Sequence, residues 1–208
     1  MAPIPFVIIG SGGHAKVVMD ALEKNHHAIL SIFDDDIKKV GTSFSSGYFI
    51  QQTPDIHWWQ EHTIQAIIAV GSNQARKKIV EKLGNNVDWG QAIHPSSIIH
   101  KSAIIGKDVY IGANVVIQAD AIIGDHSIIN TGAIIEHDVV VGNYCHVAPR
   151  VTLTGHTQVG DGTLIGAGAT TIPSIKIGSW CTIGAGSVIV KDIDNSKKAY
   201  GNPCTIIS

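Results

Sequence analysis

From Ile93 to Ile189 every sixth residue is aliphatic, with Thr171 the single exception among seventeen positions, and no insertion breaks the count. The next position is often glycine, as at Gly106, Gly112, Gly124 and Gly142. Four residues after each aliphatic stands a small or β-branched side chain, as at Ala103, Val109, Val115 and Ala121. A period of six is neither the helical 3.6 nor the simple alternation of a strand. It describes a short strand and a corner, repeated, with one large and one small residue pointing inward on each face.

These are hexapeptide repeats, and the pattern resembles the left-handed parallel β-helix of the hexapeptide acyltransferases. In that fold three hexads make one triangular coil, so residues eighteen apart stack. Seventeen hexads then give about 5.7 coils, and at about 4.8 Å per coil a prism about 27 Å tall. Parallel connections normally wind right-handed, so the hand is implied by the resemblance alone.

Residues 1–92 have another texture and are expected to form an α/β Rossmann-like domain, with the β-helix and its tail over 93–208. PFVIIG reads as a buried strand, followed by GSGGH and a helix whose apolar face is Ala15, Val18, Ala21 and Leu22. AILSIFDDD is a second strand. A loop rich in Ser, Gly and Gln follows, holding Trp58 and Trp59, which are expected to pack rather than stack on a ligand. TIQAIIAVGSN is a third strand, and Asn73 is expected to cap a helix that ends at Gly84.

The rest of the composition excludes several classes. Fifteen Lys+Arg against seventeen Asp+Glu leave no basic field for nucleic acid. Three widely spaced cysteines without a CxxC pair argue against a disulfide framework or a zinc finger. Cys145 and Cys181 fall on the small inward position and read as core. The N-terminal apolar run is too short for a signal or membrane span, so a cytoplasmic protein with no membrane partner is expected. Charged residues are only 15%; the weakly charged outer faces of the prism predict a homotrimer.

Gly10-Ser11-Gly12-Gly13-His14-Ala15 satisfies G-x-G-x-x-A between a strand and a helix, where backbone amides and a helix N-terminus meet phosphate. Asp34 and Asp35 end the next strand, suited to a ribose or base edge. A dinucleotide, a nucleotide-diphosphate sugar and a purely structural turn all fit, the sugar most economically because the second half of a dinucleotide fold is missing. Gly71 and Asn73 form a second loop at the same sheet end. Arg76 and Lys77 would balance diphosphate charge or decorate a solvated face.

Within the repeats, Glu136-His137-Asp138 places an imidazole beside a carboxylate near a corner. That pairing makes a general base, although His-Asp on a surface is often mere decoration. Asp138 and His156, eighteen apart, should stack. His146 lies half a coil from His137 and would meet it only across a subunit seam. The histidines at 126, 137, 146 and 156 lack the five-residue pair of hexapeptide zinc enzymes, so no metal is expected.

At GSGGH, FDD, VGSNQARKKI, INTGAIIEHD, CHVAP and VIVKDI…YGNP the chain is similar to sugar O-/N-acetyltransferases, above all the UDP-4-amino-sugar N-acetyltransferases of the bacillosamine pathway. That resemblance, over residues 5–204, implies His137 as the base with Asp138 as its acidic neighbour, usually a glutamate. It implies that His146 contacts acetyl-CoA and that Gly155, Gly166, Ala167 and Ala185 line the pantetheine channel. It implies trimers with acetyl-CoA between prisms, and an N-terminal domain that binds the UDP-amino-sugar. The expected substrate contacts are Ser11, Gly12, Gly13, His14, Asp34, Asp35, Gly71, Asn73 and Asn130. Direct acetylation of a 4-amino group is the reading; the alternatives are O-acetylation of a sialic-acid-like sugar and a non-catalytic sugar-nucleotide-binding trimer.

Overall fold

The computed structural model describes residues 4–207; positions 1–3 and 208, the outer ends of the two expected domains, lie outside the described residues. The N-terminal unit runs β1 (Phe6–Ile9), α1 (Gly13–Lys24), β2 (Ile29–Phe33), β3 (Ile50–Gln51), α2 (Ile56–Glu61), β4 (Gln65–Ile68) and α3 (Asn73–Leu83). Its strands form a parallel sheet in the order β3-β2-β1-β4. Every residue of β1 is buried because the strand is central and covered on both faces. Helix α1 buries Ala15, Val18, Met19, Ala21 and Leu22.

Two expectations need correction here. The Ser/Gly/Gln-rich segment holds β3 and α2, too short for periodicity to reveal; the Asp55 carboxylate caps α2, accepting from the amides of His57 and Trp58. Trp59 packs on Phe33 inside this unit. The cap of α3 is Ser72, whose hydroxyl accepts from Ala75 N–H, while Asn73 is already helical. Gly84 ends the helix with a φ of +61°, where a side chain would be strained.

From Ala92–Ile93 to Val188–Ile189 the chain makes seventeen two-residue strands in three parallel sheets, a left-handed β-helix. Each strand pairs with residues eighteen away, as Ile122 with Val140. The aliphatic series and its small partners fill one continuous core. The corners turn through a left-handed residue every sixth position, among them Asp108, Asn114, Asp120, His126, Asp138 and His156. Asp, Asn and His tolerate that conformation better than other side chains. The conspicuous glycines sit elsewhere: a β-carbon on Gly112 would stand 2.8 Å from Thr131 N, so that position needs glycine for close coil stacking.

The prism's three edges differ. One, through Asp108, His126, Tyr144 and Gly162, lies under the N-terminal unit. The Ile68 amide donates to Asp108 Oδ1 at 2.7 Å, and Asn73 Nδ2 donates to the Gly162 carbonyl at 3.0 Å. The second edge carries His137, Asp138, Gly155 and His156. The third carries Ala167 and Ala185, eighteen apart and exposed.

Candidate active site

Among the described residues two histidine–aspartate pairs on the prism are hydrogen-bonded, and only one of them is open to solvent. His126 Nδ1 donates to Asp108 Oδ2 at 2.8 Å, but both side chains are buried, with Tyr144 stacked on the imidazole. Burial raises the Asp108 carboxyl despite the His126 contact. His137 Nδ1 donates to Asp138 Oδ2 at the same 2.8 Å, with side chains 54% and 44% exposed. Because the carboxylate only accepts, the proton sits on Nδ1 and the lone pair on Nε2 is free for a substrate.

The local backbone builds this pair. Asp138 occupies the left-handed corner, which swings its carboxylate back onto the preceding ring. Gly155, one coil on, lets the His137 ring press against the main chain; a β-carbon there would lie 2.7 Å from Cε1. At the same corner position in other coils, amides such as those of Lys107, Asp125 and Asn143 donate to an Asp or Asn of the next coil. The residue above Gly155 is Pro173, and the Gly155 N–H has no acceptor among the described residues. His156 completes the cluster, its Nδ1 3.8 Å from Asp138 Oδ2 and its ring edge-on to His137.

A second cluster forms where α1 meets the prism. His14 packs edge-on to Tyr110 and lies 6.5 Å from the ring of His146. Asn130 Nδ2 donates to His146 Nε2 at 3.3 Å. Burial, then the neighbouring His146 and Arg76, push His14 down to about 3, and burial with Arg76 pushes His146 to about 4. Both rings are therefore neutral near pH 7, and His14 Nε2 is buried without a partner. His137 and His146 sit on different parts of the prism and make no contact among the described residues.

In the N-terminal unit a cleft of about 260 Å³ opens at the carboxyl ends of β1 and β2, lined by Gly10, Asp34, Asp35, Thr53, Lys78 and Lys82, among others. Gly10, at φ +105°, lets the turn pass Val70. Gly12 and Gly13 open α1 onto empty space, with no side chain capping its first amides. Asp34 is a staple, accepting from Ser11 N–H and Oγ–H, Asp36 N–H and Lys39. Partial burial would raise its carboxyl, but these donors prevail and hold it at about 2. Asp35 pairs with Lys82 at 2.8 Å, which lowers its carboxyl.

Comparison with known proteins agrees with this architecture. The PglD N-terminal domain matches residues 5–83, and the bacterial transferase hexapeptide (six repeats) matches 120–155 and 156–191. PerB from Caulobacter crescentus, solved with CoA and GDP-perosamine, superposes at a TM-score of 0.91 with 34% identity, covering 100% of this chain and 99% of that one. The chain belongs to the hexapeptide-repeat sugar acetyltransferases. The acetyltransferase domain of PglB from Neisseria gonorrhoeae is similar at a TM-score of 0.88 and 30% identity, covering 99% of this chain and 100% of that domain. An uncharacterized Acanthamoeba polyphaga mimivirus protein is 38% identical over 82 residues, 39% of this chain but only 16% of its own length.

In this acetyltransferase the side chain most misjudged from sequence is Arg76. It is 1% exposed, neither solvated nor available to a diphosphate, because its donors all meet protein acceptors. Nothing in the pattern of α3 marks it, since Lys77 and Lys78 beside it are ordinary surface charges. Lys77 lies 5.4 Å over the ring of Trp180. His156 was signalled by its eighteen-residue spacing from Asp138 but was not assigned to the site. Asn73 is engaged on both sides of its amide, donating to Gly162 and accepting from Arg76.

Proposed function

We propose that the protein transfers the acetyl group of acetyl-CoA directly to the 4-amino group of a UDP-linked amino-deoxysugar. One observation carries this reading: His137, its tautomer fixed by Asp138, stands beside the unpartnered amide of Gly155 on an open edge of the prism. A neutral amine attacks the thioester carbonyl and His137 Nε2 takes its proton. The Gly155 N–H stabilises the tetrahedral oxyanion. Collapse expels the CoA thiolate, which recovers the proton from the imidazolium. Residues 1–92 would hold the sugar nucleotide, with its phosphates at Ser11–His14 and its nucleoside near Asp34 and Asp35, and residues 93–208 the acetyl-CoA. His146, Gly166, Ala167 and Ala185 would contact the cosubstrate, and Asn130 the sugar.

His137 and His146 lie on different parts of one prism, so this reading needs a second copy to join them. Ile104, Ile122 and Val140 form an exposed apolar row on one face, as a homotrimer seam requires. A monomeric mass in sedimentation at micromolar concentration would overturn the trimer. No helix among the described residues is long and apolar enough to cross a membrane. The proposed setting is the cytoplasm, with neither nucleic acid nor membrane as partner.

PerB was solved with GDP-perosamine, which favours GDP as a second reading of the nucleotide. Mass spectrometry of acetyl transfer across matched UDP- and GDP-4-amino sugars decides. Transfer to the UDP sugars is expected; transfer to GDP sugars alone changes the nucleotide, and no transfer to either removes the function.

A further inference from the structure

An arginine buried to 1% exposure without a bonded carboxylate demands a reason. Desolvating a guanidinium is expensive, and an apolar side chain of similar length would serve stability as well. Burial outweighs the nearby Asp108 charge and lowers Arg76 to about 10. The cation stays because its planar fork orders acceptors that nothing else would hold together.

Those acceptors belong to three segments. Nη1 donates to the carbonyls of Val70 and Gly71, both at 3.0 Å. Nη2 donates to Asn73 Oδ1 and to the carbonyls of Tyr144 and Cys145, each at 2.9 Å. Nε donates to the His126 carbonyl at 3.0 Å. The first segment is the loop between β4 and α3, at the end of the sheet where the cleft opens. The second, Tyr144–Cys145, leads directly into His146, and the third is the His126 corner of the preceding coil. A single rigid group thus sets the offset between the loop of one domain and the histidine of the other.

We infer that Arg76 is a positioning residue, fixing the Gly71–Asn73 loop against the strand of His146 so that both substrates are held in register. The inference rests on the substrate contacts expected of Gly71 and Asn73 and on the proposed role of His146. Lysine keeps the charge and the stem but has one nitrogen where arginine has three, so it can satisfy only part of this set. Misplacement by an ångström then weakens binding without touching the base.

The test compares Arg76→Lys with Ile189→Val, a core truncation in the last repeat of the prism, away from all three segments, chosen to give a similar loss of Tm. Calorimetry with acetyl-CoA reads the effect without knowing the acceptor. Arg76→Lys is expected to weaken acetyl-CoA binding and raise the sugar-nucleotide KM about tenfold each, with kcat at saturation changed less than about threefold. Ile189→Val should leave both constants unchanged. Unaltered acetyl-CoA affinity in a folded Arg76→Lys would reduce Arg76 to a structural clamp and sink the inference. Should that variant not fold, Asn73→Ser loosens the same loop; its acetyl-CoA affinity must fall, and an unchanged value counts equally against the inference. Failure of the wild type to bind acetyl-CoA would instead remove the functional reading itself.

Discussion

The ring of His137 leans on Gly155 so closely that an added β-carbon would stand 2.7 Å from Cε1 and 2.8 Å from Nε2. The obstacle is a mobile side chain, so Gly155→Ala should fold by rotating His137 away. We expect kcat to fall about 10²-fold with Tm nearly unchanged. A large loss of Tm with normal turnover would contradict this.

If His137 removes the amine proton, His137→Ala should lower kcat by about 10²–10⁴-fold with modest changes in KM. Asp138→Asn should be milder, because asparagine tolerates the left-handed corner and the imidazole remains. In the wild type kcat/KM should decline on the acid side, and that limb should vanish in His137→Ala. Near-normal turnover in His137→Ala would exclude the assignment.

Acid should weaken the domain junction before it weakens the prism. His14 and His146 are held neutral, lowered from 6.5 to about 3 and about 4. A histidine whose folded value is depressed contributes its full share above its unfolded value and loses it as pH falls toward the folded one. Stability should therefore drop between about pH 6.5 and pH 4, by about 1–2 kcal/mol per histidine at pH 5. Urea midpoints at pH 7 and pH 5 measure it, and His14→Gln should reduce the difference.

Burial pushes the Cys145 thiol up to about 12, far from a reactive thiolate. Acetyl-CoA alone should leave the protein mass unchanged, and initial rates should not show ping-pong kinetics. An acetylated Cys145 peptide would revive the covalent route.

His137, Asp138 and His156 offer one ligand atom each within 4.8 Å of one another. The contacts of 2.8 and 3.8 Å to Asp138 bracket the edge of about 3.3 Å in a tetrahedral zinc site. Zinc held through these Nδ1 atoms would displace the His137 proton to Nε2 and remove the free lone pair, so added Zn²⁺ should inhibit, and His156→Asn should blunt the inhibition. Enzyme stripped with EDTA should retain its activity, and a metal requirement would refute the proton-transfer scheme.

The β-helix was legible because each hexad must send one large side chain inward, and Ile93 through Ile189 record that demand with Thr171 the single exception. Its corners were not, since Asp108, Tyr144, Arg150 and Trp180 all take the same left-handed turn and share no pattern. His137 stood out through an adjacent acid, whereas the equally tight His126–Asp108 pair is visible only at a spacing of eighteen. Arg76 was misjudged because helical periodicity reports which face is apolar, and this arginine is buried by the other domain. The short α2 escaped because six residues hold too little periodicity to read.

The contact between Ile68 and Asp108 bears on how such enzymes could be recombined. A chimera joined at the end of the sheet-forming half would place a foreign loop over a wholly buried carboxylate and three carbonyls waiting for a guanidinium. To exchange the N-terminal half intact, an engineer would have to carry Asp108, His126 and the Tyr144 corner along with it. The unit that can be exchanged whole thus extends some fifty residues beyond the visible seam.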